Sequence, residues 1–143
     1  MRICVIDGRG GGLGRRLVAG LQIKFGESHN HNIVALGTNV VAANAMKRAG
    51  ADLVGVGSRA IAETVPTVDV IIASLNLLLP GSMLGEVTPD IARAILNARA
   101  KKVLLPVNRA CVEVVGTEDQ TLDALIVRSL SRVTSLVGSL QKI

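Results

Sequence analysis

Five of the seven positions from Gly8 to Gly14 are glycine, at 8, 10, 11, 12 and 14, with Arg9 and Leu13 between them. Glycine lacks a Cβ, so such a run exposes backbone N–H groups. Where it also opens a helix, those groups and the positive end of the helix dipole converge on an anion, usually a phosphate. The flanks agree with that arrangement. Ile3-Cys4-Val5-Ile6 reads as a buried strand, and Leu13, Leu17, Leu21 and Phe25 recur every fourth residue, the repeat of one helical face. Gly8, Arg9, Gly10, Gly11, Gly12, Leu13 and Gly14 are therefore expected to hold phosphate. A turn that only lets strand and helix pack tightly is the competing explanation, but five glycines exceed what one tight turn needs.

The dinucleotide fingerprint Gly-x-Gly-x-x-Gly is not matched. Gly8, Gly10 and Gly14 run one residue longer, whereas Gly8, Gly12 and Gly14 give Gly-x-x-x-Gly-x-Gly, a spacing that resembles short-chain dehydrogenases. A Walker-type loop is excluded because no Gly-Lys-Ser or Gly-Lys-Thr follows. Arg9, Arg15 and Arg16 flank the loop. Cations at a helix N-terminus oppose the dipole, a mild cost that a bound anion reverses, although ordinary surface arginines explain Arg15 and Arg16 equally well. Asp7 would repel a phosphate unless it binds a sugar hydroxyl, a backbone amide or magnesium, and a loop-stabilising turn aspartate is the better-supported role.

An acidic residue after the second strand normally holds an adenosine ribose. Here that stretch is Leu36-Gly37-Thr38-Asn39, with no acid for NAD and no arginine for the extra phosphate of NADP. Thr38 and Asn39 either hydrogen-bond a sugar or cap the following helix.

For catalysis the residues exclude more than they assign. A short-chain dehydrogenase mechanism uses a tyrosine, and the chain has none. His29 and His31 fall in the turn before the second strand, which a parallel topology places at the edge away from the glycine loop, and no Cys or acidic cluster accompanies them as metal ligands. Glu86, Arg109 and Cys111 remain as weak candidates. Arg109 could clamp a phosphate or carboxylate, Glu86 could act as a base, and Cys111 could be a nucleophile if a cation lowered its pKa. A helix first-turn charge explains Glu86 as well, and a small buried side chain explains Cys111 better.

Strands and helices alternate to position these groups. After the first unit, Ile33 to Leu36 reads as a strand and Asn39 to Ala49 as a helix. Asp52 to Val56 reads as a weak strand, followed by a short helix capped by Ser58 that stops before Pro66. Asp69-Val70-Ile71-Ile72-Ala73 reads as a strand buried on both faces, the signature of a central parallel strand. Thr88 caps a helix that begins with Pro89, and Lys102 to Val107 is a further strand. Cys111 to Val115 offers a sixth. Thr117-Glu118-Asp119-Gln120 has capping-box spacing for a long last helix, whose stripe of Leu122, Leu125, Ile126, Val133, Leu136, Val137 and Leu140 either docks on the sheet or forms a dimer seam. The pattern predicts one α/β domain over 1–143, a three-layer Rossmann-like sandwich with a mostly parallel sheet of five or six strands. Ligands then belong at the carboxyl edge, which adds Ser74, Asn76, Asn108 and Arg109 to the loop, Thr38 and Asn39.

Composition sets the remaining bounds. The 143 residues are 49% hydrophobic and 19% charged, which suits a greasy globular domain and suggests self-association. The net charge is +5, but the basic residues are scattered, and Phe25 is the only aromatic residue, so there is no stacking platform for nucleic acid. The longest apolar stretch, Val70 to Leu79, is too short to span a bilayer, and no leader precedes the first strand, so the expected location is the cytoplasm. Two cysteines, one of them in a strand, argue against a disulfide framework.

The chain also resembles a family of small bacterial proteins described only as a domain of unknown function. That resemblance rests on Ile6-Asp7-Gly8 with Gly10-Gly11-Gly12 and Gly14, on Ala35-Leu36-Gly37-Thr38-Asn39, on Ser82-Met83-Leu84-Gly85-Glu86 with Thr88-Pro89, and on Pro106-Val107-Asn108-Arg109. It implies a compact Rossmann-like domain and no particular activity. The resulting expectation is a homo-oligomeric protein that binds NAD, NADP or another adenine nucleotide at Gly8 to Gly14, with Thr38, Asn39, Asn76, Asn108 and Arg109 completing the pocket. The alternatives are an enzyme acting on a phosphorylated or carboxylated metabolite, and a regulatory or assembly subunit without a ligand.

Overall fold

A computed structural model describes residues 1–106 and 112–141 of the chain. Its elements alternate from the start: β1 (Arg2–Asp7), α1 (Gly12–Phe25), β2 (Asn32–Gly37), α2 (Val40–Arg48), β3 (Leu53–Val56), α3 (Gly57–Thr64), β4 (Val70–Ser74), α4 (Pro89–Asn97), β5 (Lys101–Leu105) and α5 (Leu122–Gln141). The strands form one sheet in the order β3-β2-β1-β4-β5, with every neighbouring pair parallel. This is the order of the first five strands of a Rossmann sheet. β1 lies at its centre, where Ile3 is paired with Ile33 on one side and Val70 on the other.

Both faces of the sheet are covered, because successive side chains of a strand point to opposite faces. Ile3 and Val5 pack with Leu17, Val18 and Leu21 of α1, Met46 of α2, and Ile126, Leu130, Val133 and Val137 of α5. Cys4 and Ile6 point the other way, to Ile61 of α3 and to Ile91 and Ile95 of α4. The apolar stripe of the last helix thus docks on the sheet, leaving Leu122 and Val127 exposed. Among the described residues, no helix is long and apolar enough to cross a membrane.

Three local readings change. α3 starts directly off β3 through Gly57, whose φ of +91° makes the turn, so Ser58 is already inside the helix and caps nothing. In the stretch before α5, the Thr117 hydroxyl donates to the Val114 carbonyl and the Glu118 carboxylate accepts from the Gly116 N–H. Turn formation consumes the anticipated capping box, and Thr121 caps α5 instead, its hydroxyl accepting from the Ala124 N–H at 3.1 Å. No sixth strand forms among the described residues, where Val112 makes only an isolated bridge. Cys111, with which that strand was expected to begin, lies outside them, as does Val107.

Candidate functional site

The glycine loop leaves the carboxyl end of the central strand β1, beside the carboxyl ends of β2 and β4. Connections from β1 and β4 run to opposite faces of the sheet here, which opens the crevice where ligands of open α/β sheets bind. Within the loop, Arg9 and Gly11 adopt left-handed conformations with φ of 52° and 72°, and the Gly11 N–H bonds the Gly8 carbonyl at 3.0 Å.

Asp7 holds this turn together. The residue is 5% exposed, and its carboxylate accepts from the Gly8 N–H at 2.8 Å and, across the loop, from the Gly14 N–H at 2.7 Å. Burial raises the Asp7 carboxyl above its ordinary range and the two N–H donors pull it back only in part, with the nearby Glu86 charge adding to the rise.

The glycines divide into two groups. A Cβ on Gly8 would lie 2.6 Å from Met83 Sδ and Thr38 Oγ1, and one on Gly14 would lie 2.7 Å from Asp7 Cβ and Met46 Sδ. Gly11 combines its left-handed backbone with a position at which a Cβ would lie 2.9 Å from Ala42 Cα. Packing therefore accounts for Gly8, Gly11 and Gly14. Gly10 and Gly12 are different, since neither has a left-handed backbone and a Cβ on either would meet nothing within 4 Å. Among the described residues, the N–H groups of Gly10, Gly12 and Leu13 also have no hydrogen-bond partner. These are the orphan donors of the first turn of α1.

A second loop, between β4 and α4, closes over the first. Its base is tied by the Gly81 N–H to the Val87 carbonyl at 2.8 Å, and four of its residues, Gly81, Met83, Leu84 and Gly85, have positive φ. That path carries Glu86 back to the glycine loop. One carboxylate oxygen, Oε1, accepts from the Arg9 N–H at 3.0 Å, the Thr38 hydroxyl at 2.7 Å and the Asn39 amide at 2.6 Å. Partial burial pushes the Glu86 carboxyl up, but the bonds from Thr38, the Arg9 N–H and Asn39, together with the Arg9 guanidinium, hold it below the ordinary carboxylate range.

The remaining sequence candidates are distributed unevenly. Asn39 caps α2, its side-chain oxygen accepting from the Ala42 N–H, while its amide also donates to the Arg9 carbonyl. Ser74, at the end of β4, accepts from the Asn76 N–H and leaves Asn76 half-buried nearby. Arg16 pairs with Asp123 of α5 at 2.5 Å, and among the described residues Arg9 and Arg15 make no ion pair. Asn108, Arg109 and Cys111 lie outside the described residues. His29 and His31 sit between α1 and β2, at the far edge of the sheet, where His31 contacts the Phe25 ring. Composition and spacing did not reveal that Glu86 meets Thr38 and Asn39. The only local signal was the pair Gly81 and Gly85, which marks a looping segment without saying where it lands.

A parallel sheet in Rossmann order, with a glycine loop leaving its central strand, defines a Rossmann-like α/β protein. Within that class the chain belongs to the family described as Domain of unknown function (DUF3842), which matches residues 2–138. No curated protein matches the chain. Among solved structures, the chain is similar to a dodecameric FMN-dependent UbiX-like decarboxylase from Escherichia coli O157:H7, with a TM-score of 0.53 and 17% identity over 96% of this chain and 94% of that one. At that identity the likeness speaks for the fold.

Proposed function

We propose that this protein binds a nucleotide, with a phosphate seated on the N–H groups of Gly10, Gly12 and Leu13 at the start of α1. The observation that carries this reading is that Gly10 and Gly12 are glycines which neither backbone conformation nor packing requires, beside donors with no partner among the described residues. A ligand approaching the backbone closely supplies the missing reason. Asp7 and Glu86 occupy the N–H groups of Gly8, Gly14 and Arg9, so the phosphate has the outer half of the loop. An adenine nucleotide such as NAD or NADP fits the loop and the neighbouring end of β2. FMN is the second reading, favoured by the FMN-dependent protein of similar fold. Glu86 serves in this reading as a binding group.

Self-association is part of the proposal. The edge strand β3 leaves Leu53, Val54 and Val56 exposed, and Val40 and Val41 of α2 add to the uncovered apolar surface. The dodecameric state of the similar structure is in keeping with a homo-oligomer.

The chain has no Trp or Tyr, so a co-purified nucleotide would dominate its ultraviolet spectrum, and mass spectrometry would identify it. In calorimetry, Gly12→Leu should abolish nucleotide binding with the melting temperature retained. The reading fails if no nucleotide co-purifies and NAD, NADP, ADP and FMN all give no heat with the unmodified protein.

A further inference from the structure

Nucleotide sites of this topology place a ribose over the end of β2, where an acidic side chain accepts its 2′-hydroxyl. The end of β2 here is Leu36-Gly37-Thr38-Asn39, without an acid. The structure nevertheless puts a carboxylate at that place, brought from a different element. We propose that Glu86, anchored on Thr38 and Asn39 from the loop between β4 and α4, is the ribose-reading acid of this site and selects nucleotides with a free 2′-hydroxyl over 2′-phosphorylated ones. The proposal rests on the phosphate reading above.

The division of labour between the two carboxylate oxygens supports this role. Oε1 takes all three donors, the Arg9 N–H, the Thr38 hydroxyl and the Asn39 amide. Oε2 has no hydrogen-bond partner among the described residues, which leaves an acceptor free beside the glycine loop. Asn39 is itself fixed as the cap of α2, so the carboxylate is mounted on a rigid element. The other nearby acid cannot substitute, because Asp7 is buried with an N–H bonded to each of its oxygens. The same anchors keep Glu86 ionised at neutral pH. An ionised carboxylate accepts a hydrogen bond from a hydroxyl and repels a phosphate dianion at close range.

The test is calorimetric titration of NAD and NADP into the unmodified protein and into Glu86→Gln, with melting temperatures as a check on folding. The unmodified protein should bind NAD at least about tenfold more tightly than NADP, since a like charge in such a site costs more than a kcal/mol. Glu86→Gln keeps an amide oxygen for the anchors and removes the charge, and should bring the two affinities to within about threefold, mainly by strengthening NADP. Should Glu86→Gln not fold, ADP against 2′-deoxy-ADP on the unmodified protein gives a separate reading, with weaker binding expected for the deoxy compound. Equal affinities for NAD and NADP, an unchanged ratio in Glu86→Gln, or indifference to the 2′-hydroxyl would overturn the proposal and show that Glu86 only pins its loop. Binding of FMN without NAD or ADP would overturn it too, yet leave the phosphate reading standing. Absence of heat from every nucleotide would remove both.

Discussion

The Glu86 carboxylate and the Asn39 side-chain amide meet at 2.6 Å, although 47 positions separate them in the chain. Through this contact the loop after β4 is fastened to the cap of α2, and the two loops at the carboxyl edge become one unit. Asn39 both starts a helix and holds an acid, so a change there would disturb the fold and the site together.

The two groups of glycines should respond differently to the smallest substitution. Gly14→Ala forces a Cβ to 2.7 Å from Asp7 Cβ and Met46 Sδ and should destabilise the protein by about 1–3 kcal/mol. Gly12→Ala adds its methyl to open space in a helical backbone and should leave the melting temperature unchanged or slightly higher. Thermal unfolding of the two variants side by side decides this, and equal losses would mean that the loop packs differently from the structure.

Asp7→Ala leaves the Gly8 and Gly14 N–H groups without their acceptor in a buried turn. Each orphaned donor costs about 1–3 kcal/mol, so denaturant unfolding should show a large drop in stability. A loss under about 0.5 kcal/mol, the scale of a neutral surface change, would contradict the role given to Asp7.

The two carboxylates of the site should be shifted in opposite directions from their ordinary values. Burial raises the Asp7 carboxyl from its ordinary value, while the donors around Glu86 lower that carboxyl from its own. Carbon-13 shifts of the side-chain carboxyls report each directly. The signs for stability differ. The Glu86 contribution is present above pH 4.5 and fades as the pH falls through its depressed folded value. For Asp7, the advantage of the neutral form exists below pH 3.8 and is lost as the pH rises through its elevated folded value. Stability of the unmodified protein relative to Glu86→Gln should therefore be flat near neutrality and converge in acid.

Cys4 is fully buried in β1, and burial drives its thiol far above the usual value, with Arg2 offsetting only a little. It should stay unreactive toward a disulfide reagent in the native protein and become reactive on unfolding. Rapid modification of Cys4 under native conditions, located by peptide mapping, would show that the central strand opens.

Much of the architecture was written in local patterns. The repeat of Leu13, Leu17, Leu21 and Phe25 marked the helix that the structure shows as α1, and Thr88-Pro89 marked the start of α4, where Thr88 Oγ1 accepts from the Ile91 N–H. Such signals are legible because capping and burial periodicity are decided within a few residues. The caps assigned to Ser58 and to Thr117 failed for the complementary reason. Each has suitable chemistry, but the Gly57 turn and the Val114 carbonyl competed for the same few residues.

By itself, the order of apolar and polar residues determined an alternating α/β chain with a glycine loop behind its first strand, because strand and helix periods and the glycine positions are properties of short segments. Tertiary structure alone decided which glycines serve packing and which face open space, and it alone brought Glu86 onto Thr38 and Asn39. Those relations join residues 38 and 86 through a sheet whose strand order places β4 beside β1, and a contact of that kind has no trace in the spacing of either segment.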